Sequence, residues 1–367
     1  MLPLHTPSAT ATYFVNKLTF NVFHPKLLKS KELSQFLVTV AIPTLAADSR
    51  LRDCLDSLAR QSLRDFEVIV IDNSGSGSAA ACAASSVRVI HNPRNVGFGA
   101  AINQAMRASV APYLATLNDD AVAHSGWLEA LVRTIERRPD AGMCASQVRF
   151  YGETRLDSAA MLVAPDGSSK QRGHGKPPED FPVEEETLFP SGSAALYRRA
   201  MLDELGGFDD SFFLYCEDTD LGLRARWAGW KCLYVPLAVV EHHYSHSAGG
   251  ASPLKAYYVE RNRLYVLVKN FPARMLLQAP FATLARYFWH AWYLLRGRGS
   301  AARFRAGGEA SGKMLWYVAR AHAALLLDAR RLWRERRRIR AAARITPAVF
   351  RHLLRCHSIG SRRVAAL

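Results

Sequence analysis

Runs of apolar residues with two different periods divide the first two thirds of this chain. FLVTVAIPT (Phe36 to Thr44) is almost continuously apolar, the pattern of a strand buried on both faces of a parallel sheet. DSRLRDCLDSLARQS then sets Leu51, Leu55 and Leu58 at helical spacing, with Asp48 or Ser49 suited to cap the helix start. FEVIVIDNSGSGS reads as a second buried strand ending in Asp72 and Asn73 before a Ser/Gly turn. VRVIHNP is a short strand, GFGAAINQAMRAS a helix and APYLATLNDD a third strong strand. The order β-α-β-α-β predicts an α/β fold on a doubly wound, mostly parallel sheet flanked by helices, and such sheets bind ligands beyond the carboxyl ends of their strands. Thr44, Asp72 and the trio Asn118, Asp119 and Asp120 each fall at such an end.

After the helix GWLEALVRTIERRP, residues 143–185 are rich in Gly, Pro and charge. MCASQVRF and SAAMLVAP within them suggest strands at the mouth of the site. FPSGSAALYRRAMLDELGG supplies a small-residue turn and a helix ending at Gly206 and Gly207. Next comes GGFDDSFFLYCEDTDLGLRARWAGW, which places Glu217, Asp218 and Asp220 at a helix start, where the dipole favours ionised carboxylates. A surface cap needs only one acid. Adjacent acids facing a pocket repel each other unless a cation or a proton transfer employs them, so this cluster presents a candidate base. KCLYVPLAVVEHHYSHS is a further strand delivering His242, His243 and His246.

Beyond Ser252 the chain turns apolar, aromatic and Arg-rich. Of the net charge of +16, nearly all lies from Arg296 to Leu367, which holds 18 Lys/Arg against 3 Asp/Glu. Three parts follow: an N-terminal extension (1–35), a catalytic domain (36–252) and a basic helical region (253–367) that associates with membranes. Tyr287, Phe288, Trp289, Trp292, Leu294 and Leu295, interleaved with Arg286 and Arg296, suit a helix lying on an anionic bilayer, and this reading is preferred to a merely solvated helical bundle, with nucleic acid behind both. A hydrophobic share of 49% and a charged share of 22% exclude a disordered chain. The six cysteines (Cys54, Cys82, Cys144, Cys216, Cys232, Cys356) have no metal-ligand spacing and read as buried thiols in a reducing compartment. With neither a signal-peptide pattern nor an apolar run of about 18 residues, the expected location is cytoplasmic, peripheral to the inner face of the cytoplasmic membrane.

Asp120 ends a buried strand with Asn118 two residues before it, a short acidic loop suited to Mg²⁺ or Mn²⁺. Such ions take one or two carboxylates and complete their shells with phosphate oxygens and water, so a metal-bound diphosphate is implied. Asp72 suits hydrogen bonds from a base or ribose, or alternatively a turn. The 242/246 interval raises zinc, but the segment reads as a strand end with no cysteine nearby, so structural zinc is not expected. GFGAA lacks the third glycine of a dinucleotide fingerprint and reads as a tight turn before a helix.

VAIPTLAADSRLRDCLDSLARQS, VIVIDNSGSG, NPRNVGFGAAINQAMR, LATLNDDAV, the long block from FPSGSAALYRR to ARWAGW, and YYVERNRLYVLVKNFP resemble, in order, the blocks of inverting family 2 glycosyltransferases with the GT-A (Rossmann-like) fold. The branch they are most similar to contains bacterial rhamnosyltransferases and galactofuranosyltransferases. By this resemblance Pro43, Thr44, Asp72, Arg94 and Asn95 line the nucleotide. Asp120 is the metal carboxylate of the "DXD" position, with His242 as a further ligand. Asn118 replaces the first Asp of that motif, and Asp119 restores the missing charge. Asp218 becomes the catalytic base, Glu217 positions the acceptor, and Asp220 caps or orients the helix.

The expected activity is metal-dependent, inverting transfer of a sugar, with L-rhamnose the candidate, from a dTDP- or UDP-linked donor. The expected acceptor is a hydroxyl of a cell-surface glycan precursor carried on polyprenyl diphosphate. Two alternatives stand beside it. A nucleotidyltransferase would want a Gly- and Lys/Arg-rich loop after the first strand, where AIPTLAADSR offers only Arg50. A non-catalytic membrane- or glycan-binding protein would not need the intact Asp120 and Glu217-Asp218.

Overall fold

Strands form where the sequence concentrates β-branched and apolar residues, and their order sets the working edge of the molecule. A computed structural model describes residues 36–243, 253–299, 302 and 311–367. In chain order the first elements are β1 (Val38–Thr44), α1 (Ser49–Ala59), β2 (Phe66–Asp72), β3 (Arg88–His91), α2 (Phe98–Ala108), β4 (Tyr113–Leu117), β5 (Ala121–Ala123) and α3 (Trp127–Arg137). The strands β6 (Ala141–Phe150), β7 (Leu156–Ala159), β8 (Met161–Val163), β9 (Ser169–Gln171), β10 (Glu185–Thr187) and β11 (Ala194–Arg198) follow. Then come α4 (Arg199–Leu205), α5 (Glu217–Trp227) and β12 (Lys231–His242). The helices α6 (Pro253–Asn270), α7 (Ala273–Leu295), α8 (Ser311–Leu327), α9 (Ala329–Ala341), α10 (Pro347–Cys356) and α11 (Ser361–Ala366) complete the described chain.

The main sheet runs β10-β12-β6-β11-β4-β1-β2-β3, with β5 on β12 and β7 on β6. β3, β2, β1 and β4 are mutually parallel, as the β-α-β-α-β reading requires. β11 lies antiparallel between β4 and β6, and β12 is parallel to β6. Along β1, Val38, Val40 and Ile42 enter the core shared with Leu51 and Leu58 of α1 and Leu128 and Leu131 of α3. Ala41 enters the opposite core with Ile102 of α2 and Trp227 of α5. Strict alternation with both faces covered explains the continuous apolar runs.

One expectation is refined and one corrected. MCASQVRF is the strand β6, buried between β11 and β12 over most of its length, and its carboxyl end reaches the site edge, where Phe150 pairs with His242. FPSGSAALYRR does not pass from turn to helix, because β11 intervenes and completes the sheet.

α6 is part of the core: Tyr265, Val266 and Phe271 are buried, and the Trp227 indole donates to the Asn270 carbonyl at 2.9 Å. Trp227 also stacks on Phe350 of α10 at 4.0 Å. Part of the basic run is internal. Arg336 donates to the carbonyls of Val268 and Phe271, and Arg340 to that of Asn270, closing the carbonyl end of α6. Residues 1–35 and His246 lie outside the described residues. Among the described residues, no helix is long and apolar enough to cross a membrane.

Candidate active site

The strand ends converge as the sheet topology demands. Thr44, Asp72 and Asn118 close parallel strands, while β11, running the other way, brings its preceding turn Ser191–Ser193 to the same edge. The Asn118 N–H donates to the Ser193 carbonyl at 2.9 Å. At the far side of that turn, the Gly192 N–H donates to Asp218 Oδ2 at 3.1 Å. A path of two hydrogen bonds, one between backbone groups and one from a backbone N–H to a carboxylate, therefore joins the Asn118–Asp120 loop to Asp218 of α5. Sequence reasoning saw this turn only as small residues; its signal was the run Ser-Gly-Ser, which leaves backbone N–H groups accessible.

β12 pairs with β5 in the register His242↔Ala121, which sets His242 beside Asp120. Asp120 Oδ1 lies 3.0 Å from His242 Nε2, yet this buried oxygen has no aligned hydrogen-bond donor among the described residues. Asn118 Nδ2 is 3.1 Å from the same ring nitrogen. The other nitrogen, Nδ1, is 3.2 Å from Asp157 Oδ2, and Asp157 also contacts His174. Burial alone would lower the His242 pKa, but contacts with Asp120 and Asp157 lift it to about 10. Burial would likewise raise Asp120, and His242 instead holds it below the usual carboxylate range. Asp119 faces no such cation. Burial lifts it to about 6 even though the Thr44 hydroxyl stands 2.6 Å from its Oδ2.

This pair fits a divalent cation. A buried carboxylate oxygen and an imidazole nitrogen lie 3.0 Å apart, and Asp157 orients the ring from behind as second-layer carboxylates do. No group of three or more His, Cys, Asp or Glu side chains is arranged for a metal among the described residues, so a cation's remaining positions would fall to phosphate and water. His243 does not join the pair: its ring stacks on Tyr151 at 3.8 Å and its N–H bonds the Asp120 carbonyl at 3.0 Å.

Around the nucleotide side, Asp72 is buried, its two oxygens accepting from the N–H groups of Ser74 and Ala79, both at 2.9 Å. The turn role and the strand-end position thus coexist in one residue. Pro43 sits one residue before the edge in β1, and Arg94 and Asn95 are exposed on the loop that leads to α2. The Asn95 side chain accepts from the Gly97 N–H at 2.8 Å. Gly97 has φ +88°, and a Cβ there would run into the Phe213 carbonyl, so only glycine docks this loop on the segment before α5.

That segment is strained. Phe213, Tyr215 and Cys216 all have positive φ, 63°, 68° and 64°, immediately before Glu217. Each such residue costs on the order of 1 kcal/mol or more and persists only where neighbours over-determine it. The neighbours are on α6. The Asn262 amide nitrogen lies 2.9, 2.8 and 2.7 Å from the carbonyls of Phe212, Leu214 and Tyr215, and Arg261 bonds those of Ser211 and Phe212. The sequence contained these residues in the ERNR run but gave no sign of what they hold.

The acids then diverge. Glu217 is buried and its Oε2 has no hydrogen-bond partner among the described residues. Burial, and next the Asp218 charge, raise it to about 8. Burial also raises Asp218, but the N–H groups of Gly192 and Thr219 stabilise its anion. Asp220 does not cap α5, whose N-cap position is Cys216 without a side-chain bond. It faces inward, paired with Arg224 and Lys269, both at 2.8 Å, and accepts from Asn270.

A mixed sheet whose carboxyl edge gathers a His-held carboxylate and a separate pair of buried acids defines a transferase of the GT-A class. A model of the family described as "Glycosyl transferase family 2" matches residues 39–206. An N-acetylglucosaminyl-diphospho-decaprenol L-rhamnosyltransferase of Mycobacterium tuberculosis (strain CDC 1551 / Oshkosh) is 30% identical over 254 residues, covering 62% of this chain and 82% of the relative. The O-antigen chain rhamnosyltransferase RfbN of Salmonella typhimurium (strain LT2) is 29% identical over 217 residues, covering 57% and 67%. In fold, the chain is similar to GalNAc-T7 solved with UDP, GalNAc and Mn²⁺, with TM-score 0.56 and 16% identity over 70% of this chain and 51% of that one, so it spans about half of that structure. The chain belongs to glycosyltransferase family 2. It is a glycosyltransferase, and the nucleotidyltransferase and non-catalytic alternatives are set aside.

Proposed function

We propose that this glycosyltransferase moves L-rhamnose from a dTDP- or UDP-linked donor to a hydroxyl of a polyprenyl-diphosphate-linked glycan precursor, working at the inner face of the cytoplasmic membrane. The observation that supports the reading is the two-bond path from Asn118 through Ser193 and Gly192 to Asp218, which links the loop of Asp120 to the acids of α5. The mycobacterial relative, an N-acetylglucosaminyl-diphospho-decaprenol L-rhamnosyltransferase, supports the sugar and the lipid-linked acceptor. The Mn²⁺ and UDP in GalNAc-T7 support a divalent cation, Mg²⁺ or Mn²⁺.

In this reading Asp120 and His242 hold the cation, which when bound neutralises charge on the departing diphosphate. Pro43, Thr44, Asp72, Arg94, Asn95, Asn118 and Asp119 receive the nucleotide sugar. Asp218 takes the proton of the acceptor hydroxyl as its oxygen bonds the anomeric carbon and the bond to the diphosphate breaks, inverting the centre. Glu217, still protonated at neutral pH, donates a hydrogen bond that fixes the acceptor. The basic region 253–367 associates with the membrane through the part that follows α6, since α6 itself packs into the core.

Asp218→Asn tests the assignment. Nucleoside-diphosphate release should fall by roughly a hundred- to ten-thousandfold, while donor affinity by calorimetry stays within about twofold. Full turnover in the variant would refute the base.

A further inference from the structure

α7 carries an apolar face that nothing in the described structure covers. Leu277, Phe281, Leu284, Phe288, Trp292 and Leu295 follow one another at intervals of three or four residues, so they form one stripe along the helix. They are 76%, 74%, 63%, 59%, 39% and 84% exposed. At about 1.5 Å per residue the stripe extends over roughly 27 Å. Leaving six large apolar side chains in water is costly unless they have a partner.

The charges around the stripe are of one sign. No Asp or Glu occurs between residues 273 and 299. Arg274 is exposed at one end of the stripe and Arg296 and Arg298 at the other, with Arg296 over the Trp292 ring at 4.2 Å. α11, packed against α7, adds exposed Arg362 and Arg363, the former over the Trp289 ring at 5.1 Å. Arg286, expected from the sequence to face the bilayer, turns inward instead. It pairs with Asp166 and Glu260 beside Arg263, which leaves the outer face free of that charge.

We infer that α7 is the membrane-contact element, lying in the plane of an anionic bilayer with this stripe inserted at the headgroup boundary and the five arginines on anionic lipid. The inference rests on the membrane-surface reading above and assigns it to one helix face. An apolar stripe with an all-cationic rim and aromatic rings beside arginine matches an anionic lipid interface in both polarity and charge. A protein partner or second copy would have to bring acidic groups to meet the same rim, and α7 itself, having none, cannot supply them in a symmetric contact.

The test is flotation of the full chain with vesicles of phosphatidylcholine alone or enriched in phosphatidylglycerol, containing no acceptor. The full chain should float with the anionic vesicles and bind neutral ones at least about tenfold less tightly. Phe281→Glu with Phe288→Glu should lower anionic binding at least about tenfold. Arg296→Gln with Arg298→Gln should narrow the preference for anionic over neutral vesicles. Both variants should keep the wild-type circular dichroism and nucleoside-diphosphate release in lipid-free solution. Failure of the wild type to float, flotation undiminished by the Phe281/Phe288 pair, or a solution dimer that this pair dissolves would overturn the assignment. The solution assay contains no lipid and the vesicles no acceptor. Lost turnover with intact flotation would therefore count against the catalytic reading alone, and lost flotation with intact turnover against the α7 face alone.

Discussion

The two acid groups at the carboxyl edge have similar composition and opposite electrostatics. At the end of β4, Asp120 faces His242 and is held anionic, while His242 is braced from behind by Asp157. At the start of α5, Glu217 faces no cation among the described residues, and burial leaves it protonated up to about pH 8. One turn inside that helix, Asp220 is fully buried and its charge is balanced by Lys269 and Arg224. In the proposed assignment, a cation ligand, a hydrogen-bonding acid and a structural anchor are separated by the counter-charge each acid meets, not by residue type or depth.

Removing counter-charges should break this sorting in a graded way. Lys269→Met strands Asp220 and Asp209 without their shared ammonium, and a loss of about 3–5 kcal/mol in urea denaturation is expected. Asp120→Asn should cut cation-stimulated product release by about 10²- to 10³-fold, and it should also lower the melting temperature, because the buried His242 loses one of its two carboxylate partners. Asp157→Asn leaves the ligand pair intact but loosens the ring, and Mn²⁺ affinity measured by calorimetry should fall by about tenfold to a hundredfold.

The smallest effect sharpens the comparison from the other side. The folded-state pKa of Glu217 lies above its unfolded value of 4.5, so the folded protein binds the extra proton between pH 4.5 and about 8. Its contribution to stability is full below pH 4.5 and is lost as pH rises through that window. Glu217→Gln should therefore be more stable than wild type at pH 8, by on the order of 1 kcal/mol after local relaxation, and equal to it near pH 4. Thermal melts at the two pH values read this directly, and a constant offset across pH would contradict it.

The elements legible in the sequence were those whose burial pattern is local. β1, β2 and β4 have continuous apolar runs, α1 has leucines at helical spacing and the Asp48 cap, and strand-end carboxylates mark the edge. What escaped depended on partners far along the chain. AALYR gave no separate strand signal because β11 runs into α4 without a turn, and β6 could not be placed mid-sheet because strand order is not a local property. Within the site, Asp120, Glu217, Asp218 and His242 stood out by type and position. Asp157 and His174 lay in a stretch without a motif, and Asn262 acquires its meaning only through three carbonyls some fifty residues upstream.

Asn262 and Lys269 also bear on how the enzyme can be divided. A minimal version ending at β12 would keep Asp120, Asp157, Glu217, Asp218 and Asp220 yet discard the amide that fixes the left-handed turn and the ammonium that fastens α5. Chimeras that exchange the basic half between related enzymes to redirect the acceptor therefore need their crossover after Asn270, so that the recipient retains α6 as its own.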